Sequence, residues 1–136
     1  MKLLSMSASL VSLAVAGCAA YGGATMLSLP IEVSPSRSAI LRTPDAIQTA
    51  TGTRFHGAVC RNTRWNSPAT IRVERIGVDG AVISTASRAL SRLGGRGQRC
   101  AFYDVPTEGT LIPGERVRVC ATRADAPCPS KAPGTS

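Results

Sequence analysis

The sequence of 136 residues predicts an all-β protein, a small antiparallel β-sandwich stapled by two disulfides. Three observations carry that expectation. The hydrophobic period through the compact part is two rather than 3.6, the spacing of half-buried strands. Turn-forming residues separate the alternating runs every ten or so positions. Cys60, Cys100, Cys120 and Cys128 form an even set of the kind that staples small exported domains. With 43% apolar and 18% charged residues, the chain has enough apolar content for a core, which excludes a disordered polyelectrolyte and a collagen-like chain. Its length holds one domain and argues against a two-domain enzyme.

The first element is an export signal over residues 1–17. Met1-Lys2 leads a mostly apolar stretch from Leu3 to Ala16, diluted by Ser5, Ser7, Ser9 and Ser12. At about 14 residues it is shorter than the roughly 20 that a helix needs to cross a hydrocarbon core. It ends on Val15-Ala16-Gly17-Cys18, which resembles the lipobox of bacterial lipoproteins. In that family the small residues admit the extended chain to the signal peptidase, and the Cys thiol takes the lipid and becomes the mature N-terminus. The resemblance therefore implies lipid attachment at Cys18 and a membrane as first partner, because two or more acyl chains anchor stably. In Gram-negative members an Asp after the Cys favours the inner membrane; Ala19 stands here, so the resemblance implies the outer membrane, facing the periplasm. Ala14-Val15-Ala16 also fits ordinary signal cleavage, which would release a soluble periplasmic chain beginning at Gly17 with a free thiol.

Residues 18–53 read as the lipidated Cys and a flexible tether rich in Ala, Gly, Ser, Thr and Pro, with a reach of roughly 30 to 35 Å. Within it Leu27 to Val33 alternates and is a candidate edge strand, since Pro30 does not fit a central one. The sandwich itself is expected over 54–123. Phe55, Gly57 and Val59 alternate with His56, Ala58 and Cys60, and Ile71 and Val73 with Arg72 and Glu74. Asp79-Gly80 supplies positive φ for a two-residue hairpin turn, pairing Ile71–Ile76 with Ala81–Thr85. Ala86 to Leu93 fits a helical turn or another strand. Arg99 to Val105 and Arg116 to Thr122 complete the set, and 124–136 is a Pro- and Ser-containing tail.

One local motif narrows the class. Leu111-Ile112-Pro113-Gly114-Glu115-Arg116-Val117-Arg118-Val119-Cys120 resembles the Leu-x-Pro-Gly loop and following strand of fibronectin type III and related immunoglobulin-like domains. The resemblance implies an immunoglobulin-like sandwich with Leu111 tucked beneath it. It lacks the family's aromatic at the Val117 position and a Trp in the core place. The four cysteines allow three connectivities. Cys60 with Cys100, joining neighbouring strands, and Cys120 with Cys128, pinning the tail around Pro127, are favoured; Cys60 with Cys120, as in an immunoglobulin inter-sheet bond, is the second choice. Such a thin core needs the roughly 2 to 4 kcal/mol that each bridge contributes.

No catalytic constellation is legible. His56 is the one histidine and has no positioning partner around it in sequence, so it reads as an exposed strand residue. No Cys-x-x-Cys pair, phosphate loop, nucleophile elbow or dinucleotide fingerprint occurs, and neither a metal nor a cofactor is expected. Glu74, Asp79, Asp104, Glu108 and Glu115 are scattered. Charge is the more pointed signal: a net +8, with 16 basic against 8 acidic side chains. Eleven arginines lie between Arg54 and Arg118 against those five acids. The densest run is Arg92-Leu93-Gly94-Gly95-Arg96-Gly97-Gln98-Arg99, where glycines free the backbone amides and guanidinium groups suit phosphate or carboxylate. Arg92, Arg96 and Arg99 are thus candidate anion contacts, weighed against an exposed loop on a generally basic protein. Trp65, between Arg64 and Asn66, is a candidate partner or glycan contact, or a cover for the core edge. Nucleic acid is not expected, because interleaved aromatics are lacking and the chain is exported.

The expected function is therefore a non-enzymatic binding module, tethered in the bacterial envelope, that engages a protein partner or an anionic lipid or glycan. A structural subunit of a larger secretion or conjugation apparatus is the second class, and a secreted enzyme or inhibitor the third.

Overall fold

The computed structural model describes residues 23–62, 68, 70–90, 93, 98–123 and 126–130. Nine strands run in the order β1 (Thr25–Leu27), β2 (Ile31–Val33), β3 (Ala39–Leu41), β4 (Asp45–Gln48), β5 (Gly52–Arg61), β6 (Thr70–Ile76), β7 (Val82–Ala89), β8 (Cys100–Glu108) and β9 (Arg116–Thr122). They form two packed sheets with two disulfides. In the first, the long strand β5 pairs with β8 along one edge and with β4 and β3 along the other, and β1 extends β4. In the second the order is β2-β9-β6-β7. Strands β5 and β8 thus lie in one sheet, and β6 and β9, which follow them in the chain, lie in the other.

Alternation explains which face each strand buries. Phe55 and Val59 of β5, Ile71 and Val73 of β6, Tyr103 and Val105 of β8, and Val117 and Val119 of β9 close the core between the sheets. Leu111 packs against it just before Pro113-Gly114, where Gly114 has φ 89° and Glu115 N–H donates to Ile112 O at 3.2 Å. The hairpin between β6 and β7 uses the expected Asp79-Gly80, with Gly80 at φ 85°. Its loop is longer than the two residues expected: Gly77 N–H donates to Ala81 O at 2.9 Å, enclosing Val78, Asp79 and Gly80. A three-residue loop closed by glycine in the left-handed region is the next commonest hairpin. Of the stretch from Ala86 to Leu93, residues 86–89 are strand, and 91–92 lie outside the described residues.

Three expectations need correction. The segment 25–48, read as tether, carries β1 to β4 and belongs to the sandwich. The run from Leu27 to Val33 is two strands, not one, because Ser28-Leu29-Pro30 carries the chain from the edge of the first sheet to the edge of the second. There β2 pairs with β9 in parallel, Ile31 opposite Val117 and Val33 opposite Val119, so the sandwich is not wholly antiparallel. Pro30 and Pro35 flank β2 at an edge, where missing donors cost no ladder bond.

Both favoured disulfides are present, Cys60–Cys100 and Cys120–Cys128. The first joins residues directly opposite each other on β5 and β8, on the outer face of the first sheet. The second folds residues 126–130 back over the outer face of the second sheet, where Cys128 N–H donates to Glu74 Oε1 at 2.9 Å. Cys60 and Cys120 lie in different sheets and each has another partner, which excludes the second-choice connectivity.

Candidate functional site

Cross-strand register picks out two groups among the described arginines, with Arg42 and Arg116 in neither. The first is internal. Arg75 donates to both oxygens of Glu115 and to the carbonyls of Glu108 and Thr110, holding the β8–β9 loop against β6. On the outer face of the second sheet Glu74, 2% exposed, is approached by Arg72 Nε at 3.1 Å and Arg118 Nη1 at 3.7 Å. Arg118 also lies 3.4 Å from Glu32. Arg54 holds Asp104 through two hydrogen bonds, and the bond and charge of Asp104 raise the guanidinium pKa still further above its ordinary value. Arg54, Arg72, Arg75 and Arg118, counted from sequence as basic surface, are therefore engaged with the chain's own carboxylates. Bidentate geometry explains why arginine serves here better than lysine.

The second group sits at one end of the sandwich. Arg61 ends β5, and its N–H donates to Arg99 O at 2.8 Å. Asn62 bonds back to the carbonyls of Arg37 and Ser38, bringing the β2–β3 connection alongside. Arg88 is next to last in β7, where Ala89 pairs with Thr70, and Thr70 pairs with Thr122, which Arg123 follows. Arg37, Arg61, Arg88, Arg99 and Arg123 thus share one end, all but the half-buried Arg61 being exposed. No carboxylate lies at that end among the described residues. The opposite end carries Asp79, Glu108, the Arg75–Glu115 pair and the exposed Arg116, along with the entry of β1, whose Thr25 pairs with Gln48.

Of the sequence-based candidates, Arg99 lies at the basic end. Arg92, Arg96, Trp65 and Cys18 lie outside the described residues; the flanks of the first two, Leu90 and Gln98, and those of Trp65, Asn62 and Pro68, belong to connections that start from this end. His56 is exposed on β5, as expected, in register with Asp45 on β4 and Asp104 on β8.

A residue the sequence reading passed over completes the surroundings. Phe102 points outward from β8 and its ring lies parallel to that of His56, centroids 6.1 Å apart. Between the open edges of β7 and β8 is a cleft of about 350 Å³ bordered by both rings, Asp104, Arg88 and Leu90. The signal was present: Ala101-Phe102-Tyr103-Asp104-Val105 alternates, so two adjacent aromatics cannot both face the core. Beneath the cleft Tyr103 is buried, with its hydroxyl lacking a hydrogen-bond partner, and burial pushes its pKa up. Its ring packs so closely on β5 that a Cβ at Gly57 would lie 2.6 Å from the hydroxyl oxygen. Compared with models of protein families, with curated proteins and with solved structures, the chain matches none.

Proposed function

We propose that the protein is a lipoprotein of the bacterial outer membrane, anchored through Cys18 and facing the periplasm, whose sandwich binds an envelope polyanion with its basic end. The observation that carries this reading is the gathering of Arg37, Arg61, Arg88, Arg99 and Arg123 at the end opposite the entry of β1. If Cys18 carries the lipid, only the six residues Ala19 to Ala24 separate it from β1, a span of at most about 20 Å. The ten residues of β5 then hold the basic end about 30 Å beyond the anchored end. That distance exceeds the Debye length of about 8 Å at physiological ionic strength, so attraction to the anchoring leaflet is screened. The polyanion is accordingly an envelope component on the periplasmic side, met by the far end of the domain. Arg92, Arg96 and Trp65 belong to the same test set through their positions in sequence.

Charge reversal tests the binding reading: Arg88→Glu with Arg99→Glu abolishes retention on polyanion beads and crosslinking in the envelope. Unchanged retention rejects it. Intact mass after membrane extraction tests the anchor; diacylglycerol on Cys18 is expected, and a soluble form beginning at Gly17 rejects it. One observation favours a structural subunit as a second reading. Val78, 79% exposed, and Ile112, 61% exposed, are apolar residues at the anchored end, where Val78 lies close to Gly114, two residues beyond Ile112. Co-purification at fixed stoichiometry, lost in Val78→Asp, distinguishes that role.

A further inference from the structure

Phe102 takes no part in the core. It is 80% exposed, while its neighbours Tyr103 and Val105 fill the core positions of β8. Exposed alone it contributes nothing to the core, yet the surrounding groups make it one wall of a cleft. His56 lies parallel to it with 3° between the ring planes, so a flat aromatic face and a flat imidazole share the same orientation. Asp104 borders the same space, and its charge is balanced by Arg54 while its oxygens remain hydrogen-bond acceptors. Across the cleft stands Arg88, exposed and at the basic end. Asp45 is one strand further away, on the other side of β5. Among the described residues β8 pairs only with β5, so no described strand is paired along its other edge.

An occupant that suits this lining has flat apolar faces, a rim of hydroxyls and a negative charge. A pyranose ring with an acidic substituent has all three. We propose that the cleft binds an acidic glycan: a sugar ring stacks on Phe102 beside His56, its hydroxyls bond with Asp104 and the β8 edge, and its carboxylate or phosphate pairs with Arg88. This deepens the polyanion reading above and rests on it. A ringless polyanion meets the arginines but leaves Phe102 unused, and a single-stranded nucleic acid needs successive stacking surfaces, where this cleft has one.

Binding is measured by calorimetry on the full mature chain with three probes: a muramic-acid-containing glycan oligomer, a phosphorylated core oligosaccharide of lipopolysaccharide, and inorganic polyphosphate. Phe102→Ala is expected to weaken the preferred oligosaccharide by roughly tenfold or more and polyphosphate by less than about twofold, while Phe102→Trp retains glycan binding. Arg88→Glu with Arg99→Glu weakens both classes. The better-bound oligosaccharide identifies the source of the acidic sugar. An oligosaccharide affinity indifferent to Phe102→Ala, or no oligosaccharide binding by the wild type, overturns the glycan proposal. If polyphosphate binding still falls in the Arg88/Arg99 variant, the basic-end reading stands; if it does not fall, that reading is lost as well. Because Phe102 is exposed, an unchanged melting temperature in Phe102→Ala separates lost binding from lost fold.

Discussion

Arg75 shows how a surface-looking arginine becomes structural. Its guanidinium joins a buried carboxylate to two loop carbonyls, and removing one partner strands the other in low dielectric. Arg75→Ala is expected to destabilise the domain by about 3 to 5 kcal/mol in urea titration, whereas Arg75→Met with Glu115→Leu costs much less. Tyr103 has the opposite character, since its hydroxyl is buried without a partner. Tyr103→Phe is expected to be neutral or to stabilise by about 1 kcal/mol. Its raised pKa also fixes a sign. Below the unfolded value near 10 both states hold the proton. Above it the unfolded chain ionises while the folded one does not, so stability falls as pH rises past about 10. Melting followed from pH 8 to 11 shows that alkaline loss, and Tyr103→Phe reduces it.

At the level of elements, the two bridges do different work. Cys60–Cys100 lies across strands already held by a nine-pair ladder, with Cys100 exposed, whereas Cys120 and Cys128 are 1% and 6% exposed. Mild reduction followed by alkylation and peptide mapping should label Cys60 and Cys100 first. Equal labelling of all four would contradict the accessibility difference. The N-terminal segment offers a sharper contrast. As a tether, residues 23–33 would be dispensable; as β1 and β2 they place Leu27, Leu29 and Ile31 against the core and cover the edge of β9. A soluble chain starting at Ser34 is expected to lose about 3 kcal/mol or more and to aggregate through the uncovered edge. A melting temperature equal to that of a chain starting at Gly23 would restore the tether reading.

For the whole molecule the consequence is polarity. One end combines the entry of the chain, exposed Val78 and Ile112, and three carboxylates with two arginines, one of them paired to Glu115; the other gathers five arginines about the length of β5 away. Binding at that end is expected to weaken steeply between low and physiological salt. Insensitivity to salt would leave Phe102 and its cleft as the dominant contact. Net charge alone could not express this. The same +8 describes a uniformly basic surface and a polar one, and four arginines prove to be neutralised within the fold.

The sequence by itself determined the class of fold, the strands with clear two-residue alternation, the Asp79-Gly80 turn and the favoured cysteine pairing. These follow from local periodicity, turn chemistry and neighbouring-strand separation, all of which are written along the chain. Tertiary structure alone decided that β3 and β4 are strands of the sandwich, that the run from Leu27 to Val33 is split between two sheets with β2 parallel to β9, and that Arg75 is buried while Arg88 and Arg99 share an end. Three- and four-residue strands carry too few alternations to be distinguished from a loop, and they form only because an existing sheet edge supplies their partners. The partition of arginines depends on which carboxylate lies opposite in space, 50 positions away for Arg54 and Asp104 and farther still for Arg118 and Glu32, which is information that only the folded register contains.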